Sequence, residues 1–222
     1  MTYYTFHIDD SGAIEDIDEK IVNGQKIPVC KMYDDEEFNN LNDILHSIND
    51  YILNERALNI FKDCKTIPYE LRNAKVLRKE KVLGFLKRYT SYNYYELTFP
   101  DQNAAYCYDW IDFEKSDVSA TDNSQQKLKI TSHQQVLDMI KENKSDSELS
   151  YSIETRKIVF NQQFDTEIDL FKIPLYSWGI YISERLKNKL EQSQITDIGF
   201  ADHKEQLGKV WKTYFPLVEF SS

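Results

Sequence analysis

The chain has 222 residues, of which 41% are hydrophobic, 14% aromatic and 29% charged; that is enough apolar mass for one large domain or two small ones, and it excludes global disorder. No apolar run approaches the ~20 residues that cross a bilayer, and Met1-Thr2-Tyr3-Tyr4-Thr5-Phe6 lacks the basic and apolar regions of a secretory leader, so a soluble cytoplasmic protein with no membrane partner is predicted. The formal charge of −10 is concentrated in residues 1–50, where 12 acids face only Lys20, Lys26 and Lys31; the other 172 residues hold 25 acids and 24 bases. This distribution disfavours a nucleic-acid partner and suits a basic protein partner, although an acidic stretch is also an ordinary way to keep a surface solvated.

In chain order, residues 2–8 alternate loosely and predict an opening strand, followed by a turn around Asp9-Asp10-Ser11-Gly12. Phe38, Leu41, Ile44, Leu45, Ile48, Tyr51 and Ile52 then recur at three and four, which predicts an amphipathic helix starting among Asp34, Asp35, Glu36 and Glu37. A second helix is predicted from near Asn54, with Leu53, Ala57, Leu58 and Phe61 on its apolar face, stopping before Ile67-Pro68. Residues 69–99 read as extended segments around a turn or helical stretch near Lys79 to Lys87, and Tyr92 to Phe99 is aromatic on both faces, as a buried or partner-covered strand would be.

A further strand is predicted through Tyr106 to Phe113, and Ser116 to Lys127 reads as a polar surface loop. Any boundary within the 1–222 domain is placed in that loop, 116–127, with 1–66 as an N-terminal part. Thr131 or Ser132 caps a short helix over Val136 to Ile140, and Glu142 to Ser147 is read as a polar connection. Tyr151 to Ile153, Lys157 to Phe160, Ile168 to Pro174 and Trp178 to Ile182 are strand candidates, the last feeding a helix opened by Ser183. An amphipathic segment is read between His203 and Phe220.

One internal echo stands out. Ile52-Leu53-Asn54-Glu55-Arg56-Ala57-Leu58-Asn59-Ile60-Phe61 recurs in outline as Tyr181-Ile182-Ser183-Glu184-Arg185-Leu186-Lys187-Asn188-Lys189-Leu190. Both are strand-to-helix junctions, with Asn54 or Ser183 able to accept from first-turn amides and an acid next, where the helix dipole favours it. The fold class predicted is α+β: a mixed or antiparallel sheet with packed helices, built in part from two related strand-helix units.

Residues that could carry chemistry are scattered. Six glycines include no phosphate-cradling motif; Cys30, Cys64 and Cys107 make no CxxC pair; His7, His46, His133 and His203 stand singly, without metal-ligand spacing. Buried free thiols, and no cofactor or metal, are predicted. Asp109 with Asp112 and Asp165 with Glu167 could serve acid–base chemistry, but acids are a sixth of the chain and such pairs arise without function. Arg72, Lys75, Arg78, Lys79, Lys81, Lys87 and Arg88 precede tyrosines as a stacking platform would require; on an acidic chain the reading preferred is a basic solvated rim.

Three segments carry a family resemblance: Tyr108-Asp109-Trp110-Ile111-Asp112-Phe113-Glu114-Lys115-Ser116, then Leu170-Phe171-Lys172-Ile173-Pro174, then Tyr181 to Leu190 running on to Thr196-Asp197-Ile198-Gly199-Phe200. Together they resemble the myxobacterial-type immunity proteins of bacterial polymorphic toxin systems, over residues 67 to 200, with Lys172 where arginine is more usual. The resemblance implies a non-enzymatic cytoplasmic protein that binds a cognate toxin and neutralises it by covering its active site or locking it inactive. The partner contacts expected from the residues are Asp34, Asp35, Glu36 and Glu37, with Tyr92, Tyr94 and Tyr95 as aromatic anchors. The alternatives are an adaptor that binds an effector or secretion component, and an enzyme using carboxylates on a small substrate.

Overall fold

In the computed structural model the residues described are 2–8, 14–32, 41–46, 51–82, 86–99, 107–145, 151–177, 179–196, 198–202 and 216–221. Strands β1 (Tyr3–Ile8), β2 (Ile14–Val22), β3 (Gln25–Met32), β4 (Ile44–His46) and β5 (Tyr51–Leu53) lead to helix α1 (Glu55–Lys62). The long pair β6 (Glu70–Val82) and β7 (Leu86–Thr98) follows, then β8 (Asp117–Thr121), β9 (Lys127–Lys129) and helix α2 (His133–Ser145). After β10 (Ser152–Phe160), β11 (Leu170–Lys172) and β12 (Ile180–Ser183) come helix α3 (Glu184–Gln192), β13 (Ile198–Asp202) and β14 (Leu217–Phe220). The fold is α+β, mostly sheet.

The strands form three sheets, ordered β11-β12-β1-β13, β14-β10-β8-β9 and β2-β3-β6-β7-β5-β4. Most neighbours are antiparallel, as the short connections within β2-β3, β4-β5, β6-β7, β8-β9 and β11-β12 demand; β3 with β6 and β10 with β14 run parallel, and in each of those pairs other elements intervene in the chain. In the six-stranded sheet, Cys30, Met32, Leu45, Ile52, Ala74, Val76 and Tyr94 form one small cluster. Ile44, Leu53 and Leu97 point to the other side and join the main core.

That main core is aromatic where the two four-stranded sheets meet. Tyr3, Phe171 and Tyr181 from one sheet face Phe160 and Phe220 from the other, with Phe164 between them. Phe160 stacks on Phe164 at 4.5 Å, and Phe171 on Tyr181 at 5.2 Å. These offset and edge contacts add to the burial of large apolar surfaces. The two tyrosine hydroxyls this places deep in the core are answered: Tyr3 donates to the Ile168 carbonyl at 2.8 Å, and Tyr181 shares a 2.8 Å hydrogen bond with the Ser177 hydroxyl.

Several expectations are corrected. The helix predicted from Asp34 to Ile52 is not one: Ile44–His46 and Tyr51–Leu53 are strands β4 and β5, and residues 33–40 and 47–50 lie outside those described. The three-and-four spacing arose because the hairpin is buried on both faces; Ile44, Leu45, Ile52 and Leu53 are all at 0% exposure, and adjacent apolar pairs mimic a helical stripe. The strand predicted through Tyr106 to Phe113 is a single 3₁₀ turn over 107–110, closed by Ile111, which bridges Phe160. Ser116 to Lys127 is not a loop: β8 lies inside its sheet between β10 and β9, with Val118, Ser119 and Ala120 buried, and only Asp122 to Gln126 turns. The sub-boundary assigned to that stretch therefore runs through a hydrogen-bonded sheet.

Smaller differences have the same origin. Of the turn or helical stretch expected near Lys79 to Lys87, the flanks are strand through Val82 and again from Leu86, while 83–85 lies outside the described residues; the connection from Glu142 is helix to Ser145, with 146–147 outside them; Tyr151 to Phe160 holds one strand rather than two. Of the amphipathic tail, 203–215 lies outside the described residues and Leu217–Phe220 is a strand, as Asp9 to Gly12 also lies outside them. The predicted opening strand, both capped helices and the Ser132 cap of α2 are present, Ser132 Oγ accepting from the Gln135 amide at 3.2 Å.

Candidate functional site

The echo in the sequence is an echo in space. Asn54 caps α1 by accepting from the Ala57 amide at 2.9 Å, and Ser183 caps α3 by accepting from the Leu186 amide at 3.1 Å. Each cap residue closes a hairpin whose other strand begins just after an aspartate. Ile44 lies opposite Leu53 and Leu170 opposite Ile182, so Asp43 meets Asn54 and Asp169 meets Ser183. The bonds repeat one by one. The amide of Asn54 donates to the Asp43 carbonyl at 2.9 Å, that of Ser183 to the Asp169 carbonyl at 2.8 Å. Asn54 Nδ2 donates to Asp43 Oδ1 and Ser183 Oγ to Asp169 Oδ1, both at 2.6 Å. Two residues into each helix an arginine completes the corner, Arg56 Nε reaching Asp43 at 3.0 Å and Arg185 Nε reaching Asp169 at 2.8 Å.

The two corners are wired into each other. The chain leaving α1 gives the Lys65 amide to Asp169 Oδ2 at 3.1 Å and takes the Asp169 amide on the Lys65 carbonyl. The chain leaving α3 offers the Gln194 carbonyl to Arg56 at 3.2 Å. Each helix's exit thus meets the other unit's aspartate–arginine pair, and α1 packs on α3. Both aspartates are buried, at 5% and 3% exposure, while the arginines keep about half their surface in water. At Asp169 burial works to raise the pKa, but the Arg185 guanidinium, the Ser183 hydroxyl and the Lys65 amide outweigh it and hold the carboxyl below its usual range. These carboxylates are committed acceptors that join strands to helices. Their roles were missed in the sequence; the signal was the pair Asp43-Ile44-Leu45 and Asp169-Leu170-Phe171 upstream of the two junctions.

Three of the acids singled out as pairs have partners, Glu167 with Arg185 among them. Asp112 bonds Lys115, and Asp165 bonds Lys65 and accepts from the Glu167 amide; both carboxyls lie below their ordinary range through these partners. Burial pushes the Cys30 and Cys64 thiols up to about 11, the direction of inert rather than nucleophilic sulfur. His133 stacks on Tyr108 at 3.7 Å and shares a 2.8 Å hydrogen bond with the Tyr176 hydroxyl, and burial lowers its pKa. Among the described residues no group of three or more His, Cys, Asp or Glu could hold a metal ion. No helix among them is long and apolar enough to cross a membrane.

The predicted anchors separate. Tyr94 is core, 4% exposed, with its hydroxyl donated to the Asn42 carbonyl at 2.8 Å. Tyr92 and Tyr95 are half-buried, Tyr92 bonding Glu80 and Tyr95 packing on the main core. Asp34, Asp35, Glu36 and Glu37 lie outside the described residues. The basic strip is largely paired: Arg72 with Glu96 and Glu19, Lys75 with Asn93, Lys79 over the Tyr89 ring. Among the described residues, the exposed large apolar side chains of the six-stranded sheet are Ile17, Ile21, Leu71, Leu86 and Tyr89.

No family model matches the chain, and no curated protein or solved structure matches it either.

Proposed function

We propose that this chain is an immunity protein: it binds a cognate antibacterial toxin in the cytoplasm and neutralises it by covering the active site or locking it inactive. What supports the reading is the use made of the letters that carry the resemblance. Ser116 Oγ donates to the Asp112 carbonyl at 2.7 Å and accepts from the Val159 amide at 2.9 Å; Leu170 opens β11; Ser183 and Arg185 clamp Asp169. All are spent on holding one body in shape, as a preformed binding surface requires, since rigidity lowers the ordering cost of association.

On this reading the acidic N-terminal part steers a basic partner and the long β6–β7 pair offers aromatic contacts. Tyr92 and Tyr95 remain as anchors; Tyr94 serves the core. Acid steering raises the association rate more than the final affinity and weakens as salt screens it. The test is co-expression with the adjacent open reading frame. The reading expects a product that is toxic alone and harmless with this chain, and a purified complex whose association slows with salt. A neighbour harmless in both settings, or a toxin unaffected by this chain and not bound by it, overturns it.

A further inference from the structure

Among the described residues β2 is the longest strand at the margin of a sheet: nine residues, hydrogen-bonded to β3 on one side, with no described strand on the other. The register shows which backbone groups face that open side. Asn23 and Gly24, at φ of 52° and 79°, make the two-residue turn that closes the hairpin at Val22 and Gln25. Hydrogen-bonded pairs then alternate from Val22, so Lys20 and Asp18 exchange bonds with β3, and Ile21, Glu19 and Ile17 do not. Pro28, opposite Glu19, agrees, because a proline has no N–H to give to that pair. The amides and carbonyls of Ile17, Glu19 and Ile21 therefore point outward.

The side chains along this margin are symmetric about Glu19. Ile17 and Ile21, 39% and 78% exposed, lie two positions to either side on one face. Asp18 and Lys20 lie one position to either side on the other face, 3.9 Å apart. We propose that β2 pairs antiparallel with β2 of a second copy of this chain about a two-fold axis through Glu19, joining two six-stranded sheets into one.

In that register Ile17 meets Ile21 of the second copy, twice, and the outward backbone groups of these residues and of Glu19 are all answered. Asp18 meets Lys20 of the second copy in the non-hydrogen-bonded pairs, where opposed Cα atoms come within about 4.5 Å and side chains are closest. The single like-charge meeting, Glu19 with Glu19, is offset inside each chain by Lys26 and Arg72. A slip of two residues in either direction sets an isoleucine against Glu19 instead. Edge strands commonly carry charges that forbid pairing; here the signs are arranged so that the strand's own copy is the one it accepts. An interface built on one strand pair is small, which implies a reversible dimer.

The inference stands apart from the toxin reading and is tested on the chain alone, by sedimentation velocity from about 1 to about 200 µM, a range that spans weak association. The mass should rise from 26.3 kDa toward twice that value. Asp18→Lys and Lys20→Asp each oppose like charges at two places and should weaken the dimer about tenfold, while the double variant D18K/K20D should restore it. Ile21→Pro removes an outward amide at a margin where proline is tolerated and should abolish the dimer with the melting temperature retained. A monomer at every concentration overturns the proposal. So does a dimer indifferent to Ile21→Pro, or a double charge variant no better than the singles.

Discussion

Removing the Asp169 carboxylate is the sharpest perturbation of the duplicated corner. The group is 3% exposed and answers Ser183 Oγ at 2.6 Å, Arg185 Nε at 2.8 Å and the Lys65 amide at 3.1 Å. Asp169→Ala leaves the buried hydroxyl and the amide without an acceptor, at about 1 kcal/mol each. The guanidinium has 49% of its side chain in water and can rehydrate, so its loss counts for about 1 kcal/mol rather than the larger cost of a fully buried pair. The total is about 3 kcal/mol; with a urea m-value of about 3 kcal/mol/M the midpoint should fall by about 1 M. Arg185→Ala should cost about 1 kcal/mol, because the carboxylate keeps its other donors. If Arg185→Ala proves as damaging as Asp169→Ala, or Asp169→Ala costs under about 0.5 kcal/mol, the corner is not held as argued.

The same site has a signed pH dependence. The folded pKa of Asp169 is depressed, so the stabilisation it supplies is fully present above the unfolded value of about 3.9 and is lost as pH falls through the folded value. The stability gap between wild type and Asp169→Asn should be flat from about pH 5 to 7 and narrow on acidification below about pH 4; a gap that widens in acid refutes the assignment.

Three further outcomes are expected. Phe160→Ala, at 0% exposure between Phe164, Phe171 and Phe220, should cost about 4 kcal/mol in thermal or urea unfolding, the order of a large core cavity. Ser116→Ala strands the buried Val159 amide and should cost about 1–2 kcal/mol, whereas Ser124→Ala in the exposed Asp122 turn should be near neutral. Cys30, at 0% exposure with its thiol pushed to about 11, should resist a disulfide reagent at neutral pH in the native chain and react at once on unfolding; rapid native labelling would show that the β3 core opens.

The parts of the fold that were legible are those written in local chemistry. Asn54 and Ser183 announce their helices because a cap is satisfied within three residues, whatever the rest of the chain does. Ser132 likewise announces α2. The errors fall where burial is two-sided or where a polar segment is central. Ile44, Leu45, Ile52 and Leu53 carry no alternation because both faces of that hairpin are covered. β8 reads as loop because its Ser119 and Thr121 are polar letters in a strand held on one side by β9, across a short turn, and on the other by β10, which follows only after α2. For the site, the two helix arginines were visible in the echo; the aspartates that give them a purpose were not, since Asp43 and Asp169 are separated from their caps by hairpin connections of unequal length.

By itself, then, the order of amino acids determined composition-level properties and short-range events: the α+β character, the capped junctions, the free thiols and the unequal spread of charge. Only tertiary structure decided that Asp43 and Asp169 close two matching corners, that Tyr94 is core, and that the backbone of Ile17, Glu19 and Ile21 faces outward. The physical reason is range. A cap or a turn is satisfied by neighbours within a few positions, whereas a buried carboxylate or an open strand margin is defined by which distant segment supplies, or does not supply, the opposing hydrogen bonds.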